Sequence, residues 1–184
     1  SGLAAADFHR WNLERAGRRP HTMNTTSTHD TKRSEDVRAR INVLSEIPHE
    51  WSRRLERWLK LNRGKKRVVN GRPAPEPATE ILLYQTMLGA WPLHSREVPE
   101  FKERLKAYMV KAAREAKVHT SWTRPDERYE AALKRFVEKI LAHSGFVEDL
   151  EAFLDPLIEP ARISSLSQTL IRLTAPGVPG NRFR

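Results

Sequence analysis

The sequence has no cysteine and no long apolar run. Without cysteine the chain can form neither disulfides nor cysteine-ligated zinc sites, which fits a reducing compartment. A membrane-spanning helix needs about 20 consecutive apolar residues, and no segment of the chain approaches that length. The N-terminus also lacks the basic region and apolar core of a signal peptide. We therefore expect a cytoplasmic protein that does not interact with membranes.

The sequence also lacks the patterns of metal and phosphate sites. Its 7 histidines are scattered, and no two have the four-residue spacing with which a helix presents a pair of metal ligands. There is no glycine-rich phosphate-binding loop and no serine nucleophile elbow. We expect a protein that uses neither a metal ion nor an organic cofactor.

Acidic residues are fewer than basic ones, 23 against 33, and the formal net charge is +10. Such a charge can indicate a polyanionic partner. Acids and bases nevertheless alternate along most of the chain, and the concentrated basic cluster covers residues 63–67. We interpret that cluster as a solvated loop and do not expect a nucleic-acid ligand. Two alternatives stay open: a basic helical nucleic-acid-binding module, and a protein-interaction module that uses exposed apolar surface.

The apolar residues recur mostly at helical spacing, so the sequence predicts an all-α fold. We expect an irregular bundle of about seven or eight helices in a single domain, residues 1–184. The chain is too short for a complete (β/α)8 barrel, which needs about 250 residues. Residues 63–78 contain two glycines and three prolines, which predicts an internal loop or linker.

Local signals predict where individual elements begin and end. Ser34 can cap a helix, and Pro48 can begin the next one. Gly145 is expected to break the chain, with separate helices over 146–154 and 160–174. At most one or two short strands are expected, near residues 23–28, where β-branched residues are common. A lone strand leaves its backbone unpaired, so we expect its neighbours to lie outside this chain.

The most informative segment is residues 28–40, which begins Thr-His-Asp-Thr-Lys-Arg. His29 and Asp30 follow the β-prone stretch and precede the helix that Ser34 is expected to cap. Lys32 and Arg33 come directly after them. A carboxylate and an imidazole at the end of a strand, followed by two cations, are typical of a site for a polyhydroxylated ligand. Without further sequence context, a locally hydrogen-bonded turn is the more common role of such a loop.

This segment and several others resemble maltooligosyltrehalose synthase, a branch of the α-amylase superfamily. The resemblance extends over nearly the whole chain and keeps the same order. The stretches that carry it are residues 25–44, 45–48 with Trp51, 83–86, 88–92, 104–123, 164–169 and 175–179. It implies part of an intramolecular transglucosylase, which converts the reducing-end α-1,4 bond of a maltooligosaccharide into the α,α-1,1 bond of a trehalose cap.

By this resemblance, Asp30 is the third acid of a glycosidase-like site. It would bind the hydroxyls of the reacting glucose and stabilise its oxocarbenium-like form, and His29 would donate a hydrogen bond to the same sugar. Lys32 and Arg33 would position the neighbouring glucose or Asp30. Two weaker candidates for substrate contact lie further along the chain, His119 and Trp122.

The resemblance also implies an incomplete site. Retaining glycosyl transfer requires two further carboxylates about 5–5.5 Å apart, and in the family they precede the matched region. The match to the family ends near Gly180. We therefore expect a late helical portion of the catalytic domain, inactive when isolated. The oligomeric state stays open.

Overall fold

The structure, a computed structural model, describes residues 3–28 and 31–180. Within these residues the chain forms seven α-helices and a few short strands, which confirms the predicted all-α fold. The helices are α1 (Ala5–Arg18), α2 (Glu35–Val43), α3 (Pro48–Asn62), α4 (Pro77–Ala90), α5 (Val98–Ala116), α6 (Glu127–Leu141) and α7 (Ser144–Thr174). The strands are β1 (Met23–Asn24), β2 (Arg67–Val69), β3 (Arg72–Ala74) and β4 (Val178–Pro179).

The prediction that the strand at residues 23–28 finds its neighbours outside the chain is wrong for β1. This strand is shorter than expected and pairs in parallel with β4, near the other end of the sequence. The amide of Val178 donates to the carbonyl of Thr22 at 2.9 Å, and that of Gly180 donates to Asn24 at 2.7 Å. Parallel partners require a long connection, and here it comprises α2 to α7.

The segment 63–78, expected as a loop or linker, contains more regular structure than its composition indicates. A short 3-10 turn at Arg63–Lys65 is followed by the antiparallel hairpin of β2 and β3. Asn70 and Gly71 make the two-residue turn with φ angles of 50° and 76°. Asn-Gly is a favoured pair for such a turn because both residues tolerate positive φ.

The predicted break at Gly145 is also wrong, and so are the separate helices over 146–154 and 160–174. The chain turns before Gly145, where the His143 side chain accepts a hydrogen bond from the Phe146 amide at 3.0 Å and caps α7. This helix then continues through Pro156 and Pro160. Its buried residues lie on both sides of the first proline, so packing along the helix offsets the two missing backbone hydrogen bonds.

Aromatic side chains form the centre of the core. Trp58 is fully buried, with its ring 5.3 Å from that of Tyr84 and 5.5 Å from that of Phe146. Trp91 is buried as well, so both tryptophans belong to the core. Around this core α2 packs against α4 and α7, so the helix after the His-Asp segment is fixed on two sides.

Apolar residues near the two ends of the chain are exposed instead of packed in the core. α1 has no buried residue, although it carries Trp11 and Leu13. In the second half of α7, four exposed apolar residues are spaced three or four apart and share one face. They are Ile163, Leu166, Leu170 and Leu173. Among the described residues, no helix is both long and apolar enough to cross a membrane.

Candidate functional site

The segment between β1 and α2 carries the main predicted site residues. His29 and Asp30 lie outside the described residues. The residues on either side of them are joined, because the Thr31 amide donates to the Thr28 carbonyl at 3.0 Å. The Thr28 amide in turn donates to the Thr31 hydroxyl at 2.9 Å. Thr28 and Thr31 are therefore held together by local hydrogen bonds.

The start of this segment is fixed through Asn24. Its side-chain amide donates to the carbonyls of Ala175 and Pro176 at 3.1 and 3.2 Å, and its oxygen accepts from Arg15. At Gly177, where φ is 132°, a Cβ would lie 2.3 Å from the Thr22 carbonyl oxygen. Glycine is therefore needed there for β4 to approach β1.

The end of the segment is fixed through Glu35, in the first turn of α2. Its carboxylate accepts from the Thr26 hydroxyl and, at 2.9 Å, from the guanidinium of Arg172 in α7. The Ser34 side chain accepts from the Val37 amide, which confirms the predicted cap. Arg38 adds a hydrogen bond to the Thr26 carbonyl. The segment is thus joined to α7 as well as to β1.

Lys32 and Arg33 contact helices α5 and α4 respectively. The Lys32 ammonium lies 3.3 Å from the carboxylate of Glu115, and the Arg33 guanidinium donates to the Thr86 hydroxyl at 3.0 Å. Both residues line a cleft of about 270 Å³, whose wall includes Tyr108 of α5. Their cationic groups therefore already have protein partners, while the cleft beside them is large enough for part of a sugar ring.

The weaker candidate His119 lies in a different cleft, of about 340 Å³, beside the β2–β3 hairpin. Its ring stacks on that of Tyr129 at 4.7 Å, and its Nε2 is 3.4 Å from the Glu76 carboxylate. The Tyr129 hydroxyl donates to the same carboxylate at 2.7 Å. Burial raises the pKa of Glu76, but hydrogen bonds from Thr79 and Tyr129 outweigh it and leave that pKa below its ordinary value. The acid is therefore held as a carboxylate.

The other weaker candidate, Trp122, is 57% exposed, so its ring is open to a ligand. The guanidinium of Arg114 lies 5.0 Å from the ring centroid, a cation–π distance. On α5, Arg114 directly precedes Glu115, whose carboxylate pairs with Lys32. The last turn of α5 thus contacts both Lys32 and Trp122, whereas His119 lies on the hairpin side.

Residues that could hold a metal are not grouped within 3–28 and 31–180, where no cluster of three or more suitable side chains is found.

Four of the residues that position the segment between β1 and α2 were not identified from the sequence. Arg172 and Glu35 are 137 residues apart, and the contacts of Thr86 and Glu115 also depend on how helices pack. Helical periodicity carries no signal for such pairs.

Comparison with known proteins identifies the family. A curated Mycobacterium tuberculosis protein described as a maltooligosyl trehalose synthase is 36% identical over 178 residues, 97% of this chain and 22% of its own length. The maltooligosyltrehalose synthase structure from Arthrobacter ramosus matches with a TM-score of 0.75 at 38% identity, covering 97% of this chain and 21% of its own. The chain belongs to the maltooligosyltrehalose synthase family.

A Sulfolobus tokodaii structure described as a maltooligosyl trehalose synthase gives a TM-score of 0.79 at 36% identity, over 96% of this chain and 23% of its own. By these coverages, the chain spans about a fifth of the length of the maltooligosyltrehalose synthases it matches. No protein-family model matches the chain. The resemblance that begins with the His-Asp segment is confirmed at the level of the family.

Proposed function

We propose that this chain is the part of a maltooligosyltrehalose synthase that supplies Asp30 and His29 to the active site. The observation that carries the proposal is the match to this family over nearly the whole chain, with the described helices in the same arrangement. The reaction would convert the reducing-end α-1,4 bond of a maltooligosaccharide into an α,α-1,1 bond. We place the enzyme in the cytoplasm, in keeping with the absence of cysteine.

In this proposal Asp30 acts through charge. Retaining glycosyl transfer passes through oxocarbenium-like transition states, which a nearby carboxylate stabilises while it also accepts hydrogen bonds from sugar hydroxyls. His29 would donate to the same glucose. Lys32 and Arg33 would shape the cleft for the neighbouring glucose, with Arg33 held against Thr86. The two other carboxylates of the reaction would come from the remaining part of the enzyme.

The way in which residues 24–35 are anchored supports this role. A transition-state stabiliser must be held by its surroundings to within about half an ångström. Asn24 at one end and Glu35 at the other are both hydrogen-bonded to residues near the end of the chain. These contacts fix Asn24 and Glu35 themselves, independently of any ligand.

The exposed apolar residues support the placement within a larger protein. Proteins rarely expose apolar residues in a continuous stripe unless another surface packs there. The stripe on α7 lies on the helix that leads directly into β4, and α1 leads directly into β1. We propose that the remaining part of the catalytic domain packs on α1, α7 and the free edges of the β1–β4 pair.

A segment exchange tests this proposal. The matching fifth of the Arthrobacter ramosus enzyme would be replaced by residues 1–180 of this chain, and the product would be assayed with maltopentaose as substrate. We expect the exchanged enzyme to form a non-reducing product and the isolated chain to form none. A folded exchanged enzyme without product, or turnover by the isolated chain, would refute the proposal.

A further inference from the structure

A groove of about 460 Å³ lies between the β2–β3 hairpin and helix α6. It borders the His119 cleft, with which it shares Val69 and Asn70. The hairpin contributes one arginine to the groove and α6 contributes two. The lining residues are Arg67, Val68, Val69, Asn70, Arg128, Ala131, Ala132 and Arg135.

The groove is lined by cations and by no acid. Arg128 and Arg135 are two turns apart on the same face of α6, and Arg67 faces them from the hairpin. Within residues 3–28 and 31–180, none of these three guanidinium groups makes an ion pair or a side-chain hydrogen bond. Three like charges around one groove repel one another, and an anion between them would remove that cost.

Three acids close to the groove in sequence have other partners. Asp126 accepts from the Tyr129 amide at 3.0 Å and from Asn70 at 3.2 Å. Glu130 is paired with Arg114, and Glu138 with Lys106. Arg135 lies close enough to Glu138 to help lower the pKa of that carboxyl, but the two form no ion pair in the described part of the chain, so the guanidinium group stays available to the groove.

The remainder of the basic cluster at 63–67 argues against an extended polyanion. Lys66 forms an ion pair with the buried carboxylate of Glu80, and Lys65 donates to Asn62 at 2.9 Å. Two of its four cations are therefore used inside the protein, and the cluster does not present a continuous cationic strip. Of the two cations that remain, Arg67 lines the groove.

We infer that this groove binds a compact phosphate-bearing anion. Arginine is suited to phosphate because its planar guanidinium donates two parallel hydrogen bonds to two phosphate oxygens. Three arginines on two sides of a groove can surround one or two phosphate groups. The ligand is either inorganic phosphate or pyrophosphate, or the phosphate group of a phosphorylated sugar. This site is independent of the proposed sugar site around Asp30.

Calorimetric titration of the 184-residue chain tests the inference. The probes are inorganic pyrophosphate, a phosphorylated hexose and, as a control, the same hexose without phosphate. We expect saturable binding of at least one phosphate probe and none of the plain hexose. Tighter binding of pyrophosphate would identify a free-phosphate site, and tighter binding of the phosphorylated hexose would identify a sugar-phosphate site.

Variants decide whether binding occurs in the groove. Arg128→Gln and Arg135→Gln should each weaken binding by about tenfold, because each removes charged hydrogen bonds to the anion. Arg96→Gln removes the same charge from an exposed turn outside the groove and should leave the affinity unchanged. These arginines are exposed, so the variants should fold, which circular dichroism can verify.

Three results would overturn the inference. The first is equal weakening by Arg96→Gln, which would show attraction to net charge alone. The second is no saturable binding of either phosphate probe at millimolar concentration. The third is tighter binding of a single-stranded oligonucleotide with a steep salt dependence, which would show a polyanion surface instead.

Discussion

Arg114 of α5 joins the buried carboxylate of Glu130 on α6 through two hydrogen bonds of 2.7 Å each. The same guanidinium lies 5.0 Å from the exposed ring of Trp122. The Thr120 hydroxyl also donates to Glu130, at 2.7 Å. One buried acid therefore positions the cation beside the aromatic residue that is a candidate for sugar contact.

This pair predicts a pH dependence of stability. The hydrogen bonds from Arg114 lower the pKa of Glu130 below its ordinary value, and burial opposes them only in part. A lowered folded-state pKa gives stability that is present above the unfolded value and is lost as the pH falls through the folded value. Urea unfolding between pH 7 and pH 3 should therefore show a falling free energy below about pH 4.5.

The Glu130→Gln variant should lose that part of the pH dependence while keeping the rest, which comes from other acids such as Asp149. Burial raises the pKa of Asp149, yet hydrogen bonds from Trp58 and Arg54 leave it lowered. The Trp122 fluorescence of the variant should also change, because Arg114 loses its anchor. An unchanged slope of unfolding free energy against pH would contradict this account of the pair.

Tyr84→Phe tests the polar network inside the core. The Tyr84 hydroxyl donates to Glu80 at 2.6 Å and accepts from Asn62 at 2.9 Å, and all three residues are buried. Burial and the nearby Glu80 raise the pKa of Tyr84, so the hydroxyl stays a donor. Removing it leaves buried partners unsatisfied, which should cost about 1–3 kcal/mol of unfolding free energy.

The matched control is Tyr108→Phe, because Tyr108 is only half-buried and its hydroxyl has no hydrogen bond to the described residues. That change should stay within about 0.5 kcal/mol. Chemical denaturation of both variants measures the difference. Equal effects would show that the hydroxyl of Tyr84 contributes no more than that of the half-buried Tyr108.

Gly177→Ala tests the close approach of β4 to β1. Its Cβ would lie 2.3 Å from the Thr22 carbonyl oxygen, at a φ of 132° that other residues rarely adopt. We expect a loss of about 2 kcal/mol or more, with faster amide exchange at Val178 and Gly180. Gly64→Ala, where a Cβ meets nothing within 4 Å, is the control and should leave this exchange unchanged.

Glu35→Gln tests the connection between the His-Asp segment and α7. The partly buried Arg172 would lose a charged partner, which should cost about 1–2 kcal/mol and increase amide exchange at Thr31. Glu159→Gln is the control, because its pair with Arg162 on α7 is exposed and should contribute less than about 0.5 kcal/mol. If the Thr31 amide stays equally protected from hydrogen exchange in Glu35→Gln, this acid does not hold the segment.

The sequence predicts best where one residue determines local structure. Helical spacing predicts the helices, and the Ser34 cap follows from its side chain. The break at Gly145 fails because a glycine in a first turn costs little, and packing carries the helix through Pro156 and Pro160. Local helix propensity therefore predicts the structure poorly where tertiary contacts are strong.

What the sequence does not predict depends on residues far apart along the chain. The β1–β4 pair joins strands more than 150 residues apart, as the Asn24 hydrogen bond to Ala175 illustrates with a separation of 151. The same holds for Glu35 and Arg172. Each of these pairs forms because the packing of helices α2 to α7 brings distant parts of the chain together. The local periodicity of the sequence does not show how those helices pack.

Turnover of the Asp30→Asn variant in the exchanged Arthrobacter ramosus enzyme tests the central claim most directly. Asp36→Asn is the matched control, because Asp36 is an exposed acid six residues further on. With maltopentaose, Asp30→Asn should lower kcat by at least about a hundredfold, as removal of a transition-state stabiliser does, while Asp36→Asn should leave it within about twofold. Equal kcat values for the two variants would contradict the account.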